Sequence, residues 1–233
     1  SRPVDEKQMD RYLRMLLCDL DRSIEMGLVD HADTLYLGGG TPSLLGADRL
    51  IRLLDGVADR ISLPSDAEIT LEANPESTTA EMLCALRRAG YNRISFGVQS
   101  IDDRELRALG RLHDADGAKR AVTMAKNAGF SNLSVDLMLG IPYQTAESID
   151  RFLDWAIAEG IPHLSAYLLK IEEGTPFAHA TLPFADDDTA ADFYLQVDRR
   201  LEAAGYRHYE ISNFALPGRE SRHNLLYWRC DPY

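Results

Sequence analysis

Residues that can bind a small molecule recur in or directly after segments rich in β-forming side chains. In chain order these residues are Gly38, Gly39, Gly40 and Thr41, then Glu72, Gln99, Asp136, and the pair Lys170 and Glu172. In a parallel β/α barrel the strands deliver such groups to one rim, at their carboxyl ends. Burying several polar groups at one rim is costly unless a ligand satisfies them, so their joint placement favours a binding site.

The types of these residues indicate the ligand they would suit. Three consecutive glycines let backbone groups approach a zwitterionic amino-acid moiety closely, and a carboxylate such as Glu72 or Asp136 can bind an ammonium group or ribose hydroxyls. Arg111 can hold a carboxylate through two parallel hydrogen bonds. A methionine joined to a nucleoside presents all of these groups, which favours S-adenosylmethionine (SAM). Taken singly, each residue also suits a tight turn, a loop acid, a helix cap or a solvated charge.

A repeated pattern predicts the elements that position these residues. Four helical segments end in glycine, at Gly90, Gly129, Gly160 and Gly205, and an apolar residue then leads towards a short strand. The predicted strands cover residues 34–37, 68–71, 93–98, 133–139, 163–169 and 209–212. Amphipathic helices lie between them, with apolar residues three to four apart. This alternation predicts an α/β fold of the parallel β/α-barrel type.

Composition excludes several classes of protein. The 233 residues are 45% hydrophobic and 27% charged, as in an ordinary globular protein. A net charge of −12 argues against a nucleic-acid binder, and no apolar run is long enough for a transmembrane segment or resembles a secretory signal, so we expect a cytoplasmic protein. Cys18 and Cys84 lie on apolar helical faces, which predicts small buried hydrophobic residues rather than metal ligands.

Several motifs carry a resemblance to a known family. They are residues 37–43 (LGGGTPS), 72–75 (EANP), 97–100 (GVQS), 109–111 (LGR) and 135–142 (VDLMLGIP). In this order they resemble the oxygen-independent coproporphyrinogen III oxidase-like group of the radical SAM superfamily. The resemblance implies a partial TIM-like (β/α)6 barrel whose first strand and cluster loop are missing here. It also implies that the SAM-contacting positions are Gly39, Gly40, Thr41, Glu72, Gln99, Arg111 and Asp136.

Within that family, residues 222–228 (RHNLLYW) resemble the His-Asn-x-x-Tyr-Trp signature of the HemW-type haem chaperones. This resemblance implies haem binding and delivery of haem to an acceptor protein. His223 is then a candidate iron ligand, and Tyr227 and Trp228 can pack on a porphyrin face. The alternative is that the two aromatic residues belong to the core and His223 is a structural hydrogen-bonding residue.

The chain departs from the family in one respect. Radical SAM proteins bind a [4Fe–4S] cluster through a C-x3-C-x2-C run, and none of the three cysteines here fits it. We expect that run to precede Ser1 and a C-terminal domain to follow Tyr233, so that this chain alone cannot reduce SAM. We assign residues 1–205 to the barrel and residues 206–233 to its last strand and the start of the C-terminal region.

Two functions from different classes stay open after the sequence. The leading hypothesis is a haem chaperone that binds SAM, a [4Fe–4S] cluster and haem in the complete protein. The second is an enzyme, an oxygen-independent coproporphyrinogen III oxidase that makes protoporphyrinogen IX by radical oxidative decarboxylation. A phosphate-binding barrel lyase is a third hypothesis, for which the sequence offers little positive charge.

Overall fold

A computed structural model describes residues 5–231. The helices are α1 (Glu6–Glu25), α2 (Ala47–Ala58), α3 (Ala80–Ala89), α4 (Asp103–Ala108), α5 (Ala115–Asn127), α6 (Ala146–Ala158), α7 (Asp187–Ala203) and α8 (Arg222–Arg229). The strands are β1 (Thr34–Leu37), β2 (Glu68–Ala73), β3 (Arg93–Gln99), β4 (Asn132–Leu139), β5 (His163–Leu168), β6 (Arg207–His208) and β7 (Asn213–Ala215). The outer ends of both predicted domains lie outside the described residues, and their boundary at residue 205 stays a prediction.

One curved sheet carries the fold. Its strand order is β1-β2-β3-β4-β5-β7-β6, and the first five strands pair in parallel through helical crossovers. The four predicted glycine helix ends all have positive φ, between 63° at Gly160 and 120° at Gly90. Only a residue without a Cβ adopts that geometry at low cost, so these glycines stop each helix and turn the chain towards the next strand. The predicted α/β partial barrel is confirmed.

The parallel strands alternate in polarity. Apolar residues such as Phe96, Val135 and Leu164 are buried on the face that the helices cover, where they form the core with helical residues such as Leu83 and Phe152. Fully burying one such side chain contributes about 1.5–3 kcal/mol. The residues between them are polar and face the opposite, concave side of the sheet. This alternation therefore builds a hydrophobic outer layer and a polar interior from the same strands.

The end of the sheet differs from the prediction. Residues 209–212 are not a parallel strand but the turn between β6 and β7, which pair with each other antiparallel, and β7 also pairs antiparallel with β5. The carboxylate of Glu210 accepts hydrogen bonds from the backbone N–H of Ser212 and from the side-chain amide of Asn213. These local bonds stabilise a reversal of the chain, and a tight reversal cannot continue a parallel βα repeat.

The burial of the cysteines differs from the prediction at one position. Cys18 is exposed and Cys84 is only partly buried, so the prediction that both are buried hydrophobic residues is wrong for Cys18.

Within residues 5–231, no helix is both long and apolar enough to cross a lipid bilayer.

Candidate functional site

A polar cavity of about 270 Å³ lies at the carboxyl ends of the central parallel strands. We call it the polar mouth. Its lining residues are Gly40, Thr41, Pro42, Glu72, Ala73, Asn74, Ser95, Gly97, Gln99, Arg111, Asp136 and Tyr167. Strand pairing explains the convergence, because Glu72 lies beside Ser95 across β2 and β3, and Asp136 lies beside Ser165 across β4 and β5. Four neighbouring strands therefore contribute polar groups to one cavity.

Gly38, Gly39 and Gly40 follow β1 and form the glycine loop, which is held against Glu72 by hydrogen bonds and close packing. A Cβ added to Gly38 would lie 2.6 Å from Cε1 of Tyr36 and 3.0 Å from the carboxyl carbon of Glu72, so only glycine fits there. Gly39 and Gly40 have φ values of 79° and 68°, the left-handed region that glycine adopts freely. The backbone N–H of Gly39 donates to Oε2 of Glu72 at 3.0 Å, and the hydroxyl of Tyr36 donates to Oε1 at 2.6 Å. Glu72 is thereby oriented as an acceptor.

A second hydrogen-bonded group ties Arg111 to the glycine loop through Asn74. The guanidinium Nη1 of Arg111 donates to Oδ1 of Asn74 at 3.2 Å, and Nδ2 of Asn74 donates to Oγ1 of Thr41 at 3.3 Å. A Cβ at Gly97 would lie 2.9 Å from Oδ1 of Asn74, so the absence of a side chain there leaves room for this contact. The arrangement holds one positive charge at the edge of a cavity that also carries two carboxylates.

Gln99 is placed by an irregular strand end. Its φ is 69°, rare for a residue with a Cβ, and the pairing of β3 with β4 shifts register between Phe96 and Gln99. Its side chain is buried, and its Oε1 accepts a hydrogen bond from the hydroxyl of Tyr167 at 3.1 Å. Backbone strain of this kind clusters at ligand-binding sites, and here it turns the amide towards the polar mouth.

The carboxyl group of Asp136, in the polar mouth, has a strongly raised pKa. Burial, followed by the negative charge of Glu72, raises its pKa from 3.8 to about 7. Hydrogen bonds from Ser165 and Ser95 and the positive charge of Arg93 act in the opposite direction but do not cancel the rise. Two carboxylates in one partly buried cavity favour a cationic ligand, because its charge relieves both the desolvation and the mutual repulsion.

The predicted site residues come together in the structure. Six of the seven candidates line the polar mouth, namely Gly40, Thr41, Glu72, Gln99, Arg111 and Asp136. Gly39 lies beside them through its bond to Glu72. Lys170 and Glu172 do not belong to the cavity: their side chains are 83% and 63% exposed and form an ion pair with each other at 2.8 Å. Beyond the end of β5 the chain leaves the rim, and Tyr167 is the contribution of that strand.

Sequence reasoning overlooked several residues on the concave side of the sheet. These are Ser95 and Tyr167, which line the polar mouth, and Tyr36, which bonds to Glu72. Each lies two residues from another inward-facing position, so the period-two alternation of the strands would have found them. Asn74 lies within the quoted motif at 72–75, but its link between Arg111 and Thr41 depends on contacts between three separate loops.

A second cavity of about 400 Å³ adjoins the glycine loop and is lined by Tyr36, Gly38, Gly39, His223, Asn224 and Tyr227. We call it the His223 cavity. The imidazole Nδ1 of His223 lies 2.8 Å from Oγ1 of Thr34, and its ring stacks on that of Tyr36 with centroids 4.9 Å apart. Burial lowers the pKa of His223; the charge of Glu68 acts in the opposite direction, and the charge of Arg93 adds to the lowering. The imidazole is therefore positioned and neutral near pH 7.

The aromatic residues of the α8 motif are not part of the core. Tyr227 and Trp228 are 50% and 53% exposed, so the interpretation that they are core residues is wrong. Tyr227 also makes an edge contact with the ring of His223, with centroids 5.2 Å apart. The interpretation of His223 as a hydrogen-bonding residue is consistent with its bond to Thr34, which uses one of the two ring nitrogens.

The described residues contain no group of three or more His, Cys, Asp or Glu side chains that could hold a metal ion. The three cysteines are all free, and Cys18 and Cys230 are exposed. The residues present therefore do not fit a [4Fe–4S] cluster, which needs several thiolate ligands around one centre.

Comparison with known proteins gives a family and a set of relatives. Residues 9–156 match the family profile of the radical SAM superfamily. The chain is 44% identical over 223 residues to the heme chaperone HemW of Mycobacterium tuberculosis, covering 94% of this chain and 57% of that protein. It is 44% identical over 224 residues to HemW of Escherichia coli, covering 96% of this chain and 59% of that protein. The chain thus spans less than two thirds of the length of these relatives.

Solved structures share the fold. Coproporphyrinogen III oxidase (HemN) from Escherichia coli, described as a radical SAM enzyme, superposes with a TM-score of 0.83 at 24% identity, covering 97% of this chain and 52% of that one. The archaeal Elp3 of Methanocaldococcus infernus superposes with a TM-score of 0.58 at 18% identity, covering 77% of this chain and 48% of that one. At these identities the likeness concerns the fold alone.

Proposed function

This chain belongs to the radical SAM superfamily, and we propose that it forms the SAM- and haem-binding barrel of a haem chaperone. The similarity to heme chaperones along nearly the whole chain supports this function. The single observation that carries it is the pair of adjoining cavities around the glycine loop, one lined by acids and one by a neutral histidine. A haem-accepting partner protein and a cytoplasmic location stay predictions.

We place SAM in the polar mouth. SAM, when bound, supplies a sulfonium-linked adenosyl group. Glu72 and Asp136 give the cavity the negative charge that a sulfonium and an ammonium group require, and Arg111 can pair with the carboxylate of the same ligand. The backbone of Gly39 and Gly40 can approach the ligand closely because neither residue has a side chain or a neighbour within 4 Å of a Cβ position.

We place haem iron at His223. When Nδ1–H donates to Oγ1 of Thr34, the lone pair of Nε2 stays free to bind a metal. The stack on Tyr36 and the edge contact with Tyr227 fix the ring plane, so little side-chain freedom remains to be lost on ligation. The exposed aromatic rings of Tyr227 and Trp228 offer apolar surface that a porphyrin can cover.

Haem titration followed at the Soret band tests this function. We expect the chain to bind haem, and His223→Ala to weaken binding about tenfold or more because an iron ligand is lost. His179→Ala, a change at an exposed histidine that lines neither cavity, should bind haem as the unchanged chain does. Absence of haem uptake by the unchanged chain, or equal affinity in His223→Ala, would contradict the assignment.

The alternative function is an oxygen-independent coproporphyrinogen III oxidase, the function named for HemN, whose fold this chain shares. An anaerobic assay for protoporphyrinogen IX on the full-length protein separates the two functions. Haem uptake without turnover supports the chaperone, and turnover without stable haem binding supports the oxidase.

A further inference from the structure

Arg93 is a buried cation that forms no direct ion pair with any acid in the described part of the chain. It begins β3, points into the polar interior and is only 2% exposed. None of the ion pairs among the described residues includes Arg93, and its Nε has no hydrogen-bond acceptor. A buried guanidinium without an anion is costly, so a charge that the chain does not supply is expected beside it.

The side chain of Arg93 lines a chamber of about 240 Å³ together with other polar residues. We call it the Arg93 chamber. Its remaining walls are Tyr36, Glu72, Ser95, Asp136, His163, Ser165, Tyr167, Ser212, Asn213 and Asn224. Ser165, Ser212 and Asn224 carry groups that can donate hydrogen bonds to an anion. The chamber is therefore polar and has room for a carboxylate group.

The other ionisable groups of the Arg93 chamber form no ion pair with Arg93. Glu72 and Asp136 line both this chamber and the polar mouth, and the cationic ligand that we place in the polar mouth takes up their negative charge. Burial lowers the pKa of His163 well below 6.5, so this histidine adds no charge, and its two ring nitrogens contact the hydroxyls of Ser134 and Tyr209. The guanidinium is left as a cation facing an open volume.

The Arg93 chamber adjoins the His223 cavity. Tyr36 and Asn224 line both, so one wall separates the two spaces. Burial lowers the pKa of His223, the charge of Glu68 acts against this, and the positive charge of Arg93 lowers the pKa further. A ligand held at His223 that carries a flexible carboxylate arm can extend that arm towards Arg93.

We propose that Arg93 anchors a propionate arm of the porphyrin whose iron is held at His223. This inference rests on the proposed haem-binding function. The guanidinium pairs with the propionate through parallel hydrogen bonds, the geometry that arginine and carboxylates share. The chain should therefore bind porphyrins with free carboxylates more tightly than porphyrins whose carboxylates are esterified.

Equilibrium titrations with haem and with haem dimethyl ester, in which both propionates are esterified, test the anchor. We expect the unchanged chain to bind the ester about tenfold more weakly than haem, the effect of losing one charge-assisted pair. Arg93→Gln should bind haem about tenfold more weakly and should no longer distinguish haem from the ester. Arg120→Gln, a change at a largely exposed arginine on α5, should behave as the unchanged chain.

Equal affinity of the unchanged chain for haem and its ester would overturn the anchor, and this comparison holds even if Arg93→Gln fails to fold. Full haem affinity in a folded Arg93→Gln variant would overturn it as well, while leaving the haem-binding function intact. Failure of the unchanged chain to take up haem at all would instead overturn the proposed function, and the anchor with it.

Discussion

Asp136 is the residue of the polar mouth whose charge changes near neutral pH. Burial and the charge of Glu72 raise its pKa to about 7, so the carboxyl is mostly neutral at pH 6 and mostly ionised at pH 8. A cationic ligand binds the ionised form more tightly. The ionisation of Asp136 should therefore make SAM affinity depend on pH.

We predict that SAM affinity of the unchanged chain, relative to that of Asp136→Asn, rises about tenfold between pH 6 and pH 8. Comparing the two proteins removes the titration of the ligand itself. Calorimetric titrations at several pH values measure the ratio. A constant ratio over this range would show that the charge of Asp136 does not contribute to binding.

The same pKa makes a prediction about stability. Between pH 3.8 and about 7 the folded chain keeps a proton on Asp136 that the unfolded chain has lost, so the free energy of unfolding falls as pH rises through this range. Asp136→Asn cannot ionise and should lose part of that fall, on the order of 1 kcal/mol or more by pH 8. Urea denaturation at pH 5 and pH 8 measures it, and identical pH dependence in both proteins would contradict it.

The α8 helix depends on its cap to present His223. The hydroxyl of Ser221 accepts a hydrogen bond from the backbone N–H of Asn224 and lies 3.5 Å from the carboxylate of Glu68, which also accepts from the backbone N–H of His223 at 3.2 Å. These contacts join α8 to the start of β2, because Glu68 begins that strand. The orientation of the histidine is thus a property of the whole helix.

We predict that Ser221→Ala lowers the free energy of unfolding by about 1 kcal/mol and also weakens haem binding, because the helix start loosens. Thr79→Ala is the matched control: Thr79 caps α3 by accepting from the N–H of Met82 and contacts neither cavity. The control should lose similar stability and keep its haem affinity. Equal haem affinity in both variants would show that the Ser221 cap of α8 does not contribute to haem binding.

The strands and helices were predictable where local signals and the repeat agreed. Residues 34–37 form β1 as predicted, and the four glycines predicted to end helices all have positive φ. Residues 209–212 were wrongly predicted as a strand because their β-forming side chains suit a hairpin as well as a parallel strand. The choice between the two depends on pairing with β5, a contact distant in sequence.

The candidate site was predictable from strand ends and motifs, but its interior was not. The direction of strands placed Glu72, Gln99 and Asp136 at one rim, as observed. The buried position of Arg93 and the link through Asn74 depend on which face each strand turns inward and on loop contacts. Those features depend on the pairing register of the strands, which cannot be read from a single sequence.

For the whole molecule, the alternation of the strands explains why the polar mouth and the Arg93 chamber share several lining residues. Apolar residues of the sheet pack under the helices, and the polar residues between them are left to line the interior. The glycine loop lines both the polar mouth and the His223 cavity, and Tyr36 lines both the His223 cavity and the Arg93 chamber. SAM and haem are therefore expected to bind on neighbouring sides of the same loop.

A crystal structure of the chain grown with saturating SAM tests the placement of this ligand. We predict SAM in the polar mouth, with the backbone of Gly39 and Gly40 against it and oxygens of Glu72 and Asp136 within hydrogen-bond distance of its polar groups. SAM bound at another surface, or a polar mouth that holds none of it, would show that this placement is wrong.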